Sequence, residues 1–313
     1  MKPLLTIAVP TFNRVDKLEK CLNIILNEIQ GRPVELLVSD NASTDGTEDF
    51  MKRFSQENPA VTYIRNSENI GPDRNFMNCY EKAAADYAVL IGDDDVLLPG
   101  VIDKILEAVS AKPVFIHLNS STLLNWDTME HTPANAPEIG TVVYDDRSDF
   151  LTDIGIFITF VSSLVMRTDL VRQIPDKDRY IGSYLLQSHL ALRTLAQEGK
   201  YIRVTDNCIA ATGNERVNYD VYYVWGQQYS RLLLETGVQI GLSEETARKI
   251  HKHDLENTIL YFVSTLPATC AGSKKWKKSC IMNAVKAYPK LCLKYAAYVY
   301  LPSPIIKVLR KLF

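Results

Sequence analysis

Three consecutive carboxylates, Asp93-Asp94-Asp95, follow the strand-like run Tyr87-Ala88-Val89-Leu90-Ile91-Gly92 and precede Val96-Leu97-Leu98-Pro99. Adjacent acids repel one another, so three in a row are costly unless water or a cation lies among them. Hard oxygen ligands of this kind suit Mg2+ or Mn2+. A buried strand that empties into acids delivers them to the carboxyl edge of a sheet, where open α/β sheets bind ligands. A solvated acidic turn is the ordinary alternative for a charge run. The weight therefore falls on what else reaches the same edge.

Two earlier strand patterns end in polar residues as well. Residues 4–9 run into Pro10-Thr11-Phe12-Asn13-Arg14, and residues 34–39 run into Asp40-Asn41-Ala42-Ser43-Thr44-Asp45-Gly46-Thr47. A third, 61–65, leads to a loop with Asn69-Ile70-Gly71 and Arg74. A carboxylate such as Asp40 can hydrogen-bond a base or ribose, and Asn69, Gly71 and Arg74 can approach a diphosphate. Asn41, Ser43 and Asp45 are also common turn and cap formers. Turn chemistry alone does not explain polar residues at three successive strand ends.

The elements that would position these residues alternate. Helical spacing at 15–29 (Leu18, Leu22, Ile25, Leu26, Ile29), in a segment through Phe54 and in another to about Ala84 separates the strands. Such alternation implies an α/β fold of Rossmann type, a mostly parallel sheet flanked by helices. At 313 residues with 46% hydrophobic content the chain can bury one large core or two smaller ones. A net charge of -2 gives no overall attraction to nucleic acid. Cys21, Cys79, Cys208, Cys270, Cys280 and Cys292 form no CxxC pair, so neither a zinc site nor a disulfide framework is suggested, and reduced cytosolic thiols are expected. The N-terminus could pass for a short signal sequence but reads better as a first strand, and no stretch reaches the roughly 18 apolar residues of a spanning helix. No GxGxxG or Walker loop follows the first strand, which disfavours a dinucleotide oxidoreductase or a P-loop enzyme. A haloacid-type phosphatase would carry an aspartate pair where Pro10-Thr11 stands.

Val9-Pro10-Thr11-Phe12-Asn13-Arg14, Ser39-Asp40 through Thr47, Asn69-Ile70-Gly71 with Arg74-Asn75, and Asp93-Asp94-Asp95 before Leu97-Leu98-Pro99 together resemble the ordered signatures of family-2 glycosyltransferases. The resemblance implies a GT-A fold and transfer of a sugar from a nucleotide-diphospho donor, assisted by a divalent cation. It sets Pro10 and Thr11 against the nucleobase, with Asn13 and Arg14 in the same donor-binding motif. Asp40 would hydrogen-bond the base, Arg74 would lie near the donor phosphates, and Asp93 would face the ribose or sugar. Asp94 becomes the metal ligand, with Asp95 behind it or as an alternative ligand. Asn41 departs from the pattern, which usually has a second acid there. A cation held by carboxylates would offset the charge that develops on the leaving diphosphate.

The catalytic base departs too. The segment 182–193 resembles a family segment that starts with an acidic pair, and Leu186 and Gln187 stand where those acids would be. Glutamine cannot take a proton, so His189 is the nearest candidate base, with Asp176 and Asp178 as alternatives. An isolated helix histidine is also a common packing residue. Between these motifs, 114–118 and 157–166 read as strands, 119–140 as a polar irregular connection, and 201–205 as the last strand of the sheet.

Beyond residue 212 the pattern turns helical. Arg216, in a loop where the family often has a mobile segment, is a candidate contact to the diphosphate. No acid follows Glu256, whereas Lys274, Lys275, Lys277, Lys278, Lys286, Lys290, Lys294, Lys307, Arg310 and Lys311 are basic, with Trp276, Tyr295, Tyr298 and Tyr300 among them. A basic, aromatic, amphipathic tail suits an anionic membrane surface; a solvated helix face or a dimer contact would have the same composition. The expected organisation is a catalytic, nucleotide-sugar-binding domain at 1–212 and a helical region at 213–313. The expected activity is metal-dependent sugar transfer to a lipid-linked saccharide for a surface polysaccharide, in the cytoplasm at the inner face of the membrane. The alternative is a non-catalytic carbohydrate- or nucleotide-binding module. The donor base and the oligomeric state are not legible.

Overall fold

The computed structural model describes residues 2–133, 140–212, 219–265, 276–301 and 305. Contacts divide the chain into two units, one drawn from Met1–Phe150 and Phe157–Gly213, the other from Leu151–Ile156 and Asn214–Phe313.

The first unit is a mixed α/β sheet. Strands β1 (Leu5–Thr11), β2 (Val34–Asp40), β3 (Val61–Arg65) and β4 (Tyr87–Leu90) lie parallel in the order β3-β2-β1-β4. Helices α1 (Val15–Ile29), α2 (Thr47–Glu57) and α3 (Pro72–Lys82) connect them. Leu5, Ile7, Val9, Leu36, Val38 and Val89 are buried with Leu18, Leu22 and Ile25 of α1 in one core. That burial explains why β1 and β4 read as nearly continuous apolar runs. Because parallel strands share a direction, Thr11, Asp40 and the residues after Leu90 reach one edge. The register, Thr11 beside Asp40 and Ala8 beside Leu90, fixes this.

Beyond the acids come β5 (Val96–Leu97) and α4 (Val101–Ser110), then β6 (Phe115–Asn125), β7 (Glu130–His131), β8 (Thr141–Tyr144) and α5 (Arg147–Ile154). Strand β9 (Leu164–Arg167), α6 (Thr168–Arg172), α7 (Leu186–Leu195) and β10 (Tyr201–Thr212) complete the order. The sheet continues β4-β9-β6-β10-β5, with β9 antiparallel to both neighbours and β6 parallel to β10. Two strands run well past their expected ends. β6 reaches Asn125, and β10 continues through a bulge between Val204 and Ile209 to pair Thr212 with Leu123. Their polar residues had obscured this. Asn119 donates to the Thr205 carbonyl at 3.2 Å and Ser121 to that of Ile209 at 3.4 Å, so buried polar side chains are satisfied inside the sheet. Conversely, the apolar run from 157 is mostly tight helical turns, Gly155–Thr159 and Val161–Ser163, before β9 begins.

The second unit is helical among its described residues, at 222–237, 244–265, Lys278–Val285 and Pro289–Tyr300. Tyr229, Leu255, Ile259, Ile281, Val285 and Tyr295 are buried in it. Gly226 permits a close crossing, since a Cβ there would lie 2.6 Å from the Ile281 backbone. Asp254 is buried, accepts the Tyr229 hydroxyl and the Ile156 amide (3.3 Å for the latter), and is pushed up to about 6 by burial. Among the described residues no helix is long and apolar enough to cross a membrane.

Candidate active site

The loop after β1 folds onto the loop after β2. Asn13, with a left-handed φ of 53°, accepts the Thr44 amide at 2.7 Å on its side-chain oxygen, and its own amide donates to Ser43 Oγ at 2.9 Å. Asp45 accepts the Val15 amide at 3.0 Å and the Thr47 hydroxyl at 2.6 Å, tying the starts of α1 and α2 together. These contacts point Arg14 at the acid run. Its Nη1 donates to Asp93 Oδ1 and to Asp94 Oδ2, both at 2.9 Å. Thr11 Oγ1 donates to Asp93 Oδ2 at 2.8 Å, and Lys17 Nζ lies 3.5 Å from Asp94 Oδ2. Pro10 pairs with Ser39, partly buried beside these groups.

The three acids have three different environments. Asp93 is buried, which pushes its carboxyl up against the opposing pull of Arg14 and Thr11. Asp95 is buried and faces inward. Its Oδ2 accepts Ser162 Oγ at 2.6 Å, its Oδ1 lies 3.3 Å from the Thr212 amide, and burial pushes it up to about 7. Ser162 Oγ also accepts the Gly92 amide at 3.0 Å, and Thr212 Oγ1 donates to the Asp94 carbonyl. Asp94 alone is partly exposed, with 30% of its side chain accessible and its Oδ2 facing Arg14 and Lys17.

Asp40 is fully buried. Its Oδ1 accepts the Ser43 amide at 2.8 Å, its Oδ2 accepts the Tyr63 hydroxyl at 3.0 Å, and Arg65 Nε lies 3.3 Å away. Burial and Asp40 together push the Tyr63 hydroxyl up. Asn41 sits in a chain of amides. It donates to Asn69 at 2.9 Å and accepts from Asn66 at 3.1 Å and the Ile70 amide at 3.0 Å. Asn66 donates to Asn75 at 3.0 Å, and Asn75 accepts Ser39 Oγ at 2.7 Å. A carboxylate at 41 could not donate to Asn69, which is the physical reason an amide fits there. Asn69 accepts the Gly71 amide at 2.9 Å, Gly71 takes φ 82° ahead of Pro72, and Arg74 stands exposed on the first turn of α3.

His189 is not at this edge's surface. It is fully buried on α7, stacked on Tyr180 with ring centroids 4.7 Å apart, with Nε2 3.1 Å from the Asp176 carbonyl. Burial pulls the imidazole below its ordinary value, outweighing Asp176. The ring proposed as a proton acceptor is thus enclosed, with Nδ1 lacking a hydrogen-bond partner among the described residues. Asp176 is itself paired with Arg193 at 2.5 Å. Gln187 donates to the Thr159 carbonyl at 2.9 Å. Arg216 lies outside the described residues, as do Lys274, Lys275, Lys307, Arg310 and Lys311.

Sequence reasoning missed Tyr63, Arg65, Lys17, Ser162 and Thr212. The last two carry no local signal, because they reach the acids only through pairing of β10 and the turn before β9. Asn66 and Asn78 were not singled out, whereas Asn75 stood in the Arg74-Asn75 motif.

Among the described residues no group of three or more His, Cys, Asp or Glu is disposed to hold a metal ion. The donor set suits a cation in a narrower sense. One partly exposed carboxylate, Asp94, fits Mg2+ or Mn2+, which usually take one or two carboxylates and complete their shell with phosphate oxygens and water.

The sequence profile of Glycosyl transferase family 2 matches residues 6–174, more than half of the chain. The chain belongs to glycosyltransferase family 2. It is 32% identical over 192 residues to the abequosyltransferase RfbV of Salmonella typhimurium, covering 58% of this chain and 57% of that one. It is 29% identical over 123 residues to the GalNAc(5)-diNAcBac-PP-undecaprenol beta-1,3-glucosyltransferase of Campylobacter jejuni, covering 39% of each. The chain thus matches about half or less of the length of these relatives. The fold is similar to that of S. aureus TarS, solved with UDP-GlcNAc, at a TM-score of 0.65 and 14% identity over 94% of this chain and 83% of that one. It is also similar to the mannosyltransferase PcManGT of Pyrobaculum calidifontis, solved with GDP-Man and Mn2+, at a TM-score of 0.52 and 16% identity over 100% of this chain and 88% of that one. The α/β unit is therefore a family-2 glycosyltransferase sheet of GT-A type.

Proposed function

We propose that this family-2 protein transfers a sugar from a nucleoside diphosphate donor to a lipid-linked saccharide during assembly of a surface polysaccharide, using Mn2+ or Mg2+. The observation that carries the reading is the convergence of Thr11, Arg14, Lys17, Asp93 and Asp94 at one strand edge. Thr11 and Arg14 hold the Asp93 carboxylate in one orientation toward the donor. Asp94 is the carboxylate left to hold the cation, which when bound supplies positive charge against the diphosphate as it leaves. Arg14 and Lys17 supply fixed cations beside the same oxygens. Asp40, braced by Tyr63 and Arg65, shapes the pocket for the base, and Pro10 forms its wall. Asn41, Asn69 and Gly71 set the loop that carries Arg74 toward the phosphates. Asp95 supports Asp94 from behind. The name of the Salmonella relative supports transfer of a sugar, and that of the Campylobacter relative a saccharide acceptor carried on undecaprenol.

The membrane part of the reading rests on the C-terminal charge and on the Pro289–Tyr300 helix, which buries Leu291, Tyr295 and Val299 and exposes Lys290, Leu293 and Lys294. Each such Lys adds about 1 kcal/mol at an anionic surface. Binding to vesicles containing acidic lipid, weakened by salt, is the expected outcome at the cytoplasmic leaflet; salt-independent binding or none excludes it.

A thermal-shift panel of nucleoside diphosphates with and without Mn2+ tests donor and cation together. A ligand at 100 times its Kd stabilises the folded state by about 2.7 kcal/mol. One nucleotide should raise Tm in a Mn2+-dependent way, and its sugar conjugate should be slowly hydrolysed. Nucleotide binding without hydrolysis or transfer favours a binding module, the alternative that Gln187 at the position of the family's acid keeps open.

A further inference from the structure

The turn ahead of α7 is held by a device that the donor-binding reading does not use. Asp73, on the first turn of α3, is buried, yet its carboxylate is spent on three backbone amides of one turn: Gly182, at 2.6 Å, Ser183 and Tyr184. Ser183 Oγ adds a second lock by donating to the Tyr180 carbonyl and accepting the Leu185 amide at 3.0 Å. What this turn presents is Tyr184, in left-handed backbone at φ 64° with 42% of its surface exposed. A bulky side chain in that region is a true outlier, and such strain persists only where the surroundings over-determine it. Here a buried carboxylate does so. The outcome is an aromatic ring displayed to solvent at a strained position.

The turn is wired to the acid run. Gln187 Nε2 donates to the Thr159 carbonyl, and three residues on, Ser162 bridges the Gly92 amide and Asp95. The segment so joined carries a second exposed aromatic, Phe157, at 43%. On the other side Asp73 adjoins Arg74 and follows Gly71, in the loop that faces the donor. Two exposed rings therefore stand on the two segments that Gln187 joins, on the α7 side of the acids. Aromatic faces of this kind bind the C–H face of a pyranose, apolar on one side and edged with hydroxyls that keep their water.

We propose that Tyr184, with Phe157, forms a saccharide subsite that receives a pyranose ring of the acceptor. The proposal rests on the glycosyltransferase reading and names the part of the site that holds the second substrate. Tyr184 is a binding residue here, and Asp73 is the residue that positions it.

The test uses the full chain with saturating nucleoside diphosphate and Mn2+, so that the donor position is filled. Binding of methyl α- and β-hexopyranosides is then measured by saturation-transfer NMR. Wild type and Tyr184→Phe should bind at least one glycoside equally well. Tyr184→Ala and Tyr184→Gly should bind it about 3- to 10-fold more weakly, the scale of one aromatic contact. Phe157→Ala should weaken it less. Tyr184→Gly relieves the left-handed strain and should keep or raise Tm, which separates lost binding from lost folding. The nucleotide-induced Tm shift should be unchanged in all variants. Undiminished glycoside binding in Tyr184→Gly overturns the subsite, as does a wild-type protein that binds nucleotide but no glycoside. A wild-type protein that shows no nucleotide response overturns the glycosyltransferase reading beneath it.

Discussion

At the edge where β1, β2 and β4 end, each acid is met by donors from another strand end. At the start of α7, polar side chains are enclosed, and Gln187 Oε1, Ser188 Oγ and His189 Nδ1 have no hydrogen-bond partner among the described residues. The first region keeps one carboxylate, Asp94, partly exposed and buries the rest; the second buries its titratable ring and leaves its turn to display an aromatic. Charge is thus handled on the β1–β4 side and shape on the α7 side. The two regions should fail differently.

The largest difference is expected at Asp94. Asp94→Asn should lower Mn2+-dependent turnover by about 10²- to 10³-fold, the scale of losing one group aimed at developing charge. Its Tm without ligand should stay within about 2 °C of wild type, because the repulsion from Asp93 and Asp95 and the attraction of Arg14 and Lys17 are lost together. Retained metal-dependent turnover would remove Asp94 from the chemistry. His189→Ala should do the reverse. Deleting a fully buried ring leaves a cavity and should cost about 2–4 kcal/mol of stability, while kcat at a temperature where the variant is folded changes less than about threefold. A fall of 10²-fold or more, with loss of the acid limb of the pH profile, would restore His189 as a base and dissolve the contrast.

The pH dependence of stability sharpens the same contrast. The His189 pKa in the folded protein lies below its ordinary value, so the unfolded chain takes up the proton first as pH falls. Its contribution is complete above about pH 6.5 and is lost as pH drops below that. Denaturant midpoints between pH 7 and pH 5 should decline less steeply in His189→Gln. An identical slope would mean that the ring takes up its proton equally in the folded and the unfolded chain. The smallest effect is expected at Asn41→Asp, which keeps the contacts from Asn66 and Ile70 but loses the donation to Asn69. It should cost about 1–2 kcal/mol. A more stable variant would show that the amide chain is not what selects asparagine.

The contrast also explains what could be read beforehand. Thr11, Arg14 and Asp93-Asp94-Asp95 were legible because parallel strands bring contiguous motifs to one edge, so spacing along the chain translates directly into proximity. The parallel pairing of β1 to β4 follows from the same alternation. The antiparallel β9 did not, since apolar residues also build the tight turns at 155–163. Burial of His189 was hidden because it depends on Tyr180 and Asp176, outside its own helix. Asp73 gave no signal at all: its partners lie more than a hundred residues away, and only the fold makes that carboxylate a turn-former.

The Ile156 contact with Asp254, 98 residues apart in the chain, bears on the order of assembly. During synthesis, β1 to β4 can pair once about the first ninety residues have emerged, since all their partners lie within that stretch. The helical unit must wait. Its short segment, Leu151–Ile156, leaves the ribosome with the α/β unit, and Asp254, which accepts the Ile156 amide, follows at 5–20 residues per second about 5–20 s later. Through that interval the Ile156 amide is without Asp254, and a C-terminal truncation ahead of residue 254 would make that permanent.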